Sequence, residues 1–314
     1  MGKVAFVFPG QGAQYVGMGK ALEEAFPYTR AFFDEASEVL GFDLRRLCLE
    51  GPEEELRRTE NTQPAILTVC AQALKVLERE VGLKPDLLAG HSLGEYTALF
   101  ATGALSFRDV VRVVRERGKA MEEACPRGQG AMAAILGLEG PKVEELCKRA
   151  RKDQEVLVPA NYNCPGQVVI SGHLEAVKRA MELSKEMGAK RAVLLDVSGP
   201  FHSPFMEKAA ERLREVLEEI EWSAFSVPVV SNVTAEPYAS PEEAKKLLVL
   251  QVKSPVRWEE SVRRMVALGV DTFIELGPNK VLSGLIRRTV EGVVTLNLEG
   301  PQDLDTLNKA FGKN

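Results

Sequence analysis

Pro85-Asp86-Leu87-Leu88-Ala89-Gly90-His91-Ser92-Leu93-Gly94-Glu95-Tyr96-Thr97-Ala98-Leu99-Phe100-Ala101 is the stretch that decides how this chain is read. The apolar residues before Gly90 predict a short buried strand, and the run after Gly94 predicts a helix. Ser92 then falls on the corner between them. Glycines two positions to either side suit such a corner, because a Cβ there would collide with the reversing backbone. A serine held this way presents its hydroxyl as a nucleophile. The plainer alternative is a glycine-rich turn that closes a βα unit.

Working outward, Val4-Ala5-Phe6-Val7-Phe8 ends in Pro9-Gly10 and predicts the first buried strand of a parallel sheet. Helices are expected over 19–40 and 64–80, the second with Thr62 as its N-cap and Pro64 in its first turn. After the Ser92 corner come two more helices, up to about residue 124. Such alternation predicts an α/β fold whose sheet is mostly parallel and covered on both faces.

From residue 128 the rhythm changes. Strands are expected at 131–138, 156–160, 167–171 and 191–197, with helices at 141–152 and 174–187. That βαββαβ order is the split-βαβ, ferredoxin-like arrangement. Gly128-Gln129-Gly130 and Ser198-Gly199-Pro200 look like hinges at its two ends. The expected organisation is therefore a discontinuous larger domain, 1–127 and 199–314, interrupted by a small domain at 128–198. Strands at 227–231 and 272–276 resume the larger one.

Composition narrows the class. With 45% hydrophobic and 27% charged residues, this is an ordinary globular chain rather than a disordered or fibrous one. A formal charge of −5 argues against a general nucleic-acid binder, which carries a basic excess. The first apolar run is too short for secretion or for spanning a membrane, so the cytoplasm is the expected compartment. Cys48, Cys70, Cys125, Cys147 and Cys164 are scattered and odd in number, which suits reduced thiols there. No C-x-x-C or H-E-x-x-H spacing points to a metal site.

A serine hydroxyl needs a base, and the chain has 3 histidines. His91 adjoins Ser92, and successive side chains on a sharp turn point apart. His173 is expected to begin a surface helix of the insertion, which leaves His202 in Gly199-Pro200-Phe201-His202-Ser203-Pro204, where the chain re-enters the larger domain. Junctions of this kind form clefts. A structural histidine remains the alternative. The loop Phe8-Pro9-Gly10-Gln11-Gly12 lets backbone N–H groups approach a ligand, so it suits one half of an oxyanion hole, with the N–H of Leu93 as the other. A phosphate-binding loop or a plain βα turn would look the same.

On the helix of 109–123, a 100° projection puts Arg117 at the edge of the inward face, beside Val113 and Met121. An inward guanidinium requires an anionic partner. That is either an internal carboxylate or the anionic tail of a substrate. Gln251 is unremarkable on spacing, and no unique aspartate offers itself as a third triad member.

Together these segments resemble the malonyl-CoA:acyl-carrier-protein transacylase family. Phe8-Pro9-Gly10-Gln11-Gly12, Gly90-His91-Ser92-Leu93-Gly94-Glu95-Tyr96, Arg117-Gly118-Lys119-Ala120-Met121 and Phe201-His202-Ser203 match its motifs in order. So do Gly166-Gln167-Val168-Val169-Ile170-Ser171-Gly172 and Pro255-Val256-Arg257-Trp258. The resemblance implies an α/β-hydrolase-like core with a ferredoxin-like insertion, and ping-pong transfer of malonyl from malonyl-CoA to the phosphopantetheine thiol of acyl carrier protein.

It makes Ser92 the acylated nucleophile, His202 the base, and Arg117 the binder of the malonyl carboxylate. Gln11 and Leu93 become the oxyanion-hole donors, and Gln251 orients His202 through its backbone carbonyl. Gln63 and Asn161 are expected to line the pocket, with Phe201 crowding a branched acyl group. No cofactor or metal is implied. An acidic carrier protein predicts a basic docking surface, with Lys178, Arg179, Lys190, Arg191, Arg287 and Arg288 as the candidates.

Overall fold

In a computed structural model describing residues 2–312, eight strands form two separate sheets. The first contains β1 (Lys3–Phe8), β2 (Leu87–Gly90), β7 (Val270–Leu276) and β8 (Val294–Leu298), in the order β2-β1-β7-β8 and all parallel. Buried Val4, Ala5, Phe6, Val7 and Phe8 explain the unbroken apolar run, since helices cover both faces. The segment expected as a strand at 227–231 lies beside β2 as a single parallel bridge, Leu88 to Val229. β8, half exposed at the sheet edge, was not anticipated.

The second sheet contains β3 (Gly130–Leu136), β4 (Leu157–Cys164), β5 (Gln167–His173) and β6 (Arg191–Leu194). Its antiparallel order β4-β5-β3-β6 is the ferredoxin-like one. Helices Gly140–Ala150 and Leu174–Glu186 pack over one face and close an apolar cluster drawn wholly from this segment. The chain enters and leaves side by side: a Cβ on Gly130 would come within 2.3 Å of Pro200 Cγ.

Two helix expectations need correction. Pro27 breaks the 19–40 segment into Lys20–Ala25, a 3-10 turn and Arg30–Leu40. The second helix runs Thr59–Val76, so Thr62 does not cap it and Pro64 lies inside. Pro64 has no N–H to give Glu60 O, and the Arg115 guanidinium donates to that carbonyl instead at 2.8 Å. Thr62 Oγ1 bonds Leu56 O. The helix thus continues because a tertiary donor replaces the missing backbone one.

Register positions the site. Phe8 pairs with Gly90, so the loops after β1 and β2 leave the same edge of the sheet as neighbours. They touch: a Cβ on Gly94 would sit 2.0 Å from Phe8 O, and one on Gly90 1.9 Å from Gly94 C. No helix among the described residues is long and apolar enough to cross a membrane.

Candidate active site

Ser92 sits at φ 50°, ψ −105°, ahead of the helix Leu93–Ala101. A non-glycine residue in this region is strained, and strain of this kind persists only where neighbours over-determine it. Asn232 supplies that hold. Its Oδ1 accepts from Ser92 N at 2.8 Å, and its Nδ2 donates to Gly90 O at 2.8 Å. Both arms of the corner are thereby clamped by one amide from 140 residues away.

Ser92 Oγ lies 2.8 Å from His202 Nε2. His202 Nδ1 faces two backbone carbonyls, Gln251 O at 2.8 Å and Ser254 O at 3.1 Å. Two acceptors at Nδ1 require the proton there, so Nε2 is the basic nitrogen that takes the Ser92 hydroxyl proton. No carboxylate among the described residues completes this pair. Burial, and then the Arg117 charge, push the His202 imidazole down to about 3. His91 turns away to Asn163 Oδ1 at 2.7 Å, and His173 Nδ1 accepts from Val156 N at 2.8 Å at the start of the insertion's second helix.

Arg117 is fully buried, on the helix Phe107–Glu123. Its partners are neutral oxygens: Gln63 Oε1 at 2.8 Å, Gln251 Oε1 at 2.8 Å and Ser92 Oγ at 2.9 Å. The internal carboxylate allowed by the sequence is not in contact. Nε, buried, has no hydrogen-bond partner among the described residues, and Nη1 uses one of its two protons. A planar donor with unspent N–H groups suits a carboxylate. Gln63, fully buried, accepts from Arg117 Nη1 and does not itself reach the cavity surface.

The cavity around these groups is small, about 100 Å³. Ser92, His202 and Arg117 line it together with Gln11, Asn161 and Phe201. Met132, Leu195 and Val197 close it from the second sheet's side. A larger groove of about 580 Å³, between helices Glu207–Glu218 and Pro241–Gln251, carries none of this chemistry. The Gln11 and Leu93 N–H groups make no turn or cap bond among the described residues, and Leu93 opens its helix, whose positive end faces the corner.

Asn232, Ser254 and Glu95 were not read from the sequence. Glu95 alone left a signal: it is the one charge in an otherwise uncharged buried helix. Of the six basic residues, Lys178 pairs with Glu175 and Arg179 with Glu155, while Arg287 and Arg288 donate to Thr295 and Gln167. Lys190 and Arg191 are exposed at the start of β6 and make no ion pair with a described residue.

Residues 5–303 match the family model described as an acyl transferase domain. A malonyl CoA-acyl carrier protein transacylase from Bacillus subtilis (strain 168) is 49% identical, over 97% of this chain and 96% of its own. The chain belongs to the malonyl-CoA:acyl-carrier-protein transacylases. A crystal structure of such a transacylase from Xanthomonas oryzae pv. oryzae superposes with a TM-score of 0.96, at 45% identity and 99% coverage of both chains. Another malonyl-transacylase, solved in complex with a type II polyketide synthase acyl-carrier protein, is 44% identical with a TM-score of 0.96, covering 98% of this chain and 99% of its own. A transacylase fold of this family accounts for both sheets and for the corner serine between them.

Proposed function

We infer that the protein moves a malonyl group from malonyl-CoA to the phosphopantetheine thiol of acyl carrier protein, supplying fatty acid elongation. The observation that carries this reading is a single oxygen, Ser92 Oγ, 2.8 Å from His202 Nε2 and 2.9 Å from Arg117 Nη2. An ester hydrolase would share the first contact but has little use for the second.

His202 takes the Ser92 proton as Oγ attacks the thioester carbonyl, and the oxyanion accepts the N–H groups of Gln11 and Leu93. CoA leaves with the proton from His202, giving malonyl-Ser92. The carrier thiol then passes its proton to His202 and attacks the ester, and Ser92 recovers the proton as it leaves. Arg117 holds the malonyl carboxylate throughout, and Gln251 aligns the imidazole through its carbonyl. Substrate binding also prepares the base: a carboxylate on Arg117 offsets the nearby charge that depresses His202. Every reacting group is a side chain or a backbone amide, so the reading asks for no cofactor. Five buried free cysteines suit the cytoplasm.

Residues 1–127 and 199–314 would form the catalytic lobe and 128–198 the insertion, a division supported by the separate apolar cluster of the second sheet. For carrier docking, Lys190 and Arg191 are favoured among the six candidates, since they keep free charge on the strand that leads to Leu195 and Val197 in the cavity wall.

Intact-protein mass spectrometry after mixing with malonyl-CoA tests the reading. Wild type should gain one malonyl group and lose it to added carrier protein, and Ser92→Ala should gain none. An unmodified wild-type protein would end the proposal. Phe201, 4% exposed in the cavity wall, should also disfavour an α-methyl group. Methylmalonyl-CoA is therefore expected to acylate Ser92 at least about 10-fold more slowly, a modest steric discrimination; equal rates would refute the role of Phe201.

A further inference from the structure

Glu95 lies one helical turn beyond Ser92 with its carboxylate fully buried. Three groups donate to it: Tyr238 OH, Gln251 Nε2 at 2.9 Å and Asn232 N at 3.2 Å. The second donor matters most. Gln251 Nε2 also gives a proton to Ser92 O at 3.0 Å, so both its N–H groups face acceptors, and its Oε1 must face Arg117 Nη2, 2.8 Å away. Guanidinium, amide and carboxylate thus stand in series: Arg117 Nη2–H to Gln251 Oε1, then Gln251 Nε2–H to Glu95 Oε2.

A carboxylate bonded directly to Arg117 would occupy the N–H groups and cancel the charge that a substrate needs. A guanidinium with no counter-charge would be a costly buried ion. One amide between them resolves both demands. The anion is near enough to stabilise the cation and too far to displace an incoming carboxylate. It also locks the amide's orientation, which a neutral neighbour would hold less firmly.

We propose that Glu95 is a positioning residue for malonyl recognition, acting through the Gln251 amide to hold and charge-balance Arg117 while leaving its free N–H groups for the substrate carboxylate. This rests on the transacylase reading and extends it to a residue that touches no substrate. Burial pushes the Glu95 carboxyl up to about 7, against its three donors and the Arg117 charge. Its support is therefore present above that pH and lost as pH falls through it.

The other ionisable groups facing it stay fixed over that range. Tyr238 and Tyr96 are pushed well above the ordinary phenol value by burial, His202 is held at about 3 chiefly by burial, and Arg117 stays charged although burial lowers it.

The test compares single-turnover acylation of Ser92 by malonyl-CoA and by acetyl-CoA, which lacks the carboxylate. Glu95→Gln can keep its oxygen toward Gln251 and Asn232 and turn its amide toward Tyr238, whose hydroxyl then accepts instead of donating, so the charge goes while the shape stays. Its malonyl-to-acetyl rate ratio should fall about 10-fold at high pH, because the amide that orients Arg117 loses its charge-assisted hydrogen bond. From about pH 5 to about pH 9 the wild-type ratio should rise through an inflection that Glu95→Gln lacks. A purely structural role would slow both donors equally, and an unchanged ratio overturns the proposal.

Tyr238→Phe removes one donor to the carboxylate and should move the wild-type inflection upward in pH. A flat wild-type profile, or an inflection that this change leaves in place, also overturns it, even should Glu95→Gln fail to fold. Failure of wild type to be acylated by malonyl-CoA would instead sink the underlying function.

Discussion

Replacing His202 with alanine is expected to slow acylation of Ser92 by malonyl-CoA about 10³- to 10⁴-fold, the upper range for loss of a general base. The imidazole is the one basic group in contact with Ser92 Oγ among the described residues, since Arg117, the other contact, only donates. His91, the neighbouring candidate, is tied to Asn163 and cannot substitute. The oxyanion donors are backbone groups that the mutation leaves in place, so a small residual rate should remain. Rapid-quench mass spectrometry gives the rate, and circular dichroism verifies the fold. A loss smaller than about 10-fold would move the base elsewhere.

Arg117→Ala should reverse the acyl preference. Losing the partner of a desolvated carboxylate costs about 3–5 kcal/mol, so malonyl acylation should fall about 10²- to 10⁴-fold. Acetyl acylation should suffer far less, because two effects oppose each other. The cavity loses a prop on Ser92 Oγ, but the cation that depresses His202 also disappears, and the imidazole becomes a stronger base. Parallel assays with malonyl-CoA and acetyl-CoA check this. Equal losses for both donors would mean that Arg117 holds the corner serine rather than the substrate. Intact malonyl transfer with dominant hydrolysis of neutral esters would favour an esterase.

The parts of this molecule legible in sequence were those set by local pattern. The corner glycines at 90 and 94, the apolar first strand and the βαββαβ order each follow from sterics or burial within a few residues. His202 came from elimination among three histidines, and Arg117 from helical projection. What stayed hidden depends on groups far apart in the chain. The start of the helix at Thr59 depends on Arg115 answering for Pro64. Gln251 contributes a backbone carbonyl that any residue has, together with an amide whose role appears only once Glu95 and Arg117 flank it. Asn232 clamps the corner without any motif of its own.

The long reach of the Asn232 clamp bears on the order of synthesis. A ribosome makes the nucleophile 110 residues before its base and 140 before the amide that cocks it. Throughout that interval the nascent chain displays only an ordinary alcohol, inert toward the cell's thioesters. Reactivity switches on when the last third of the polypeptide folds back, so an unfinished chain captures no acyl group that it could not hand on.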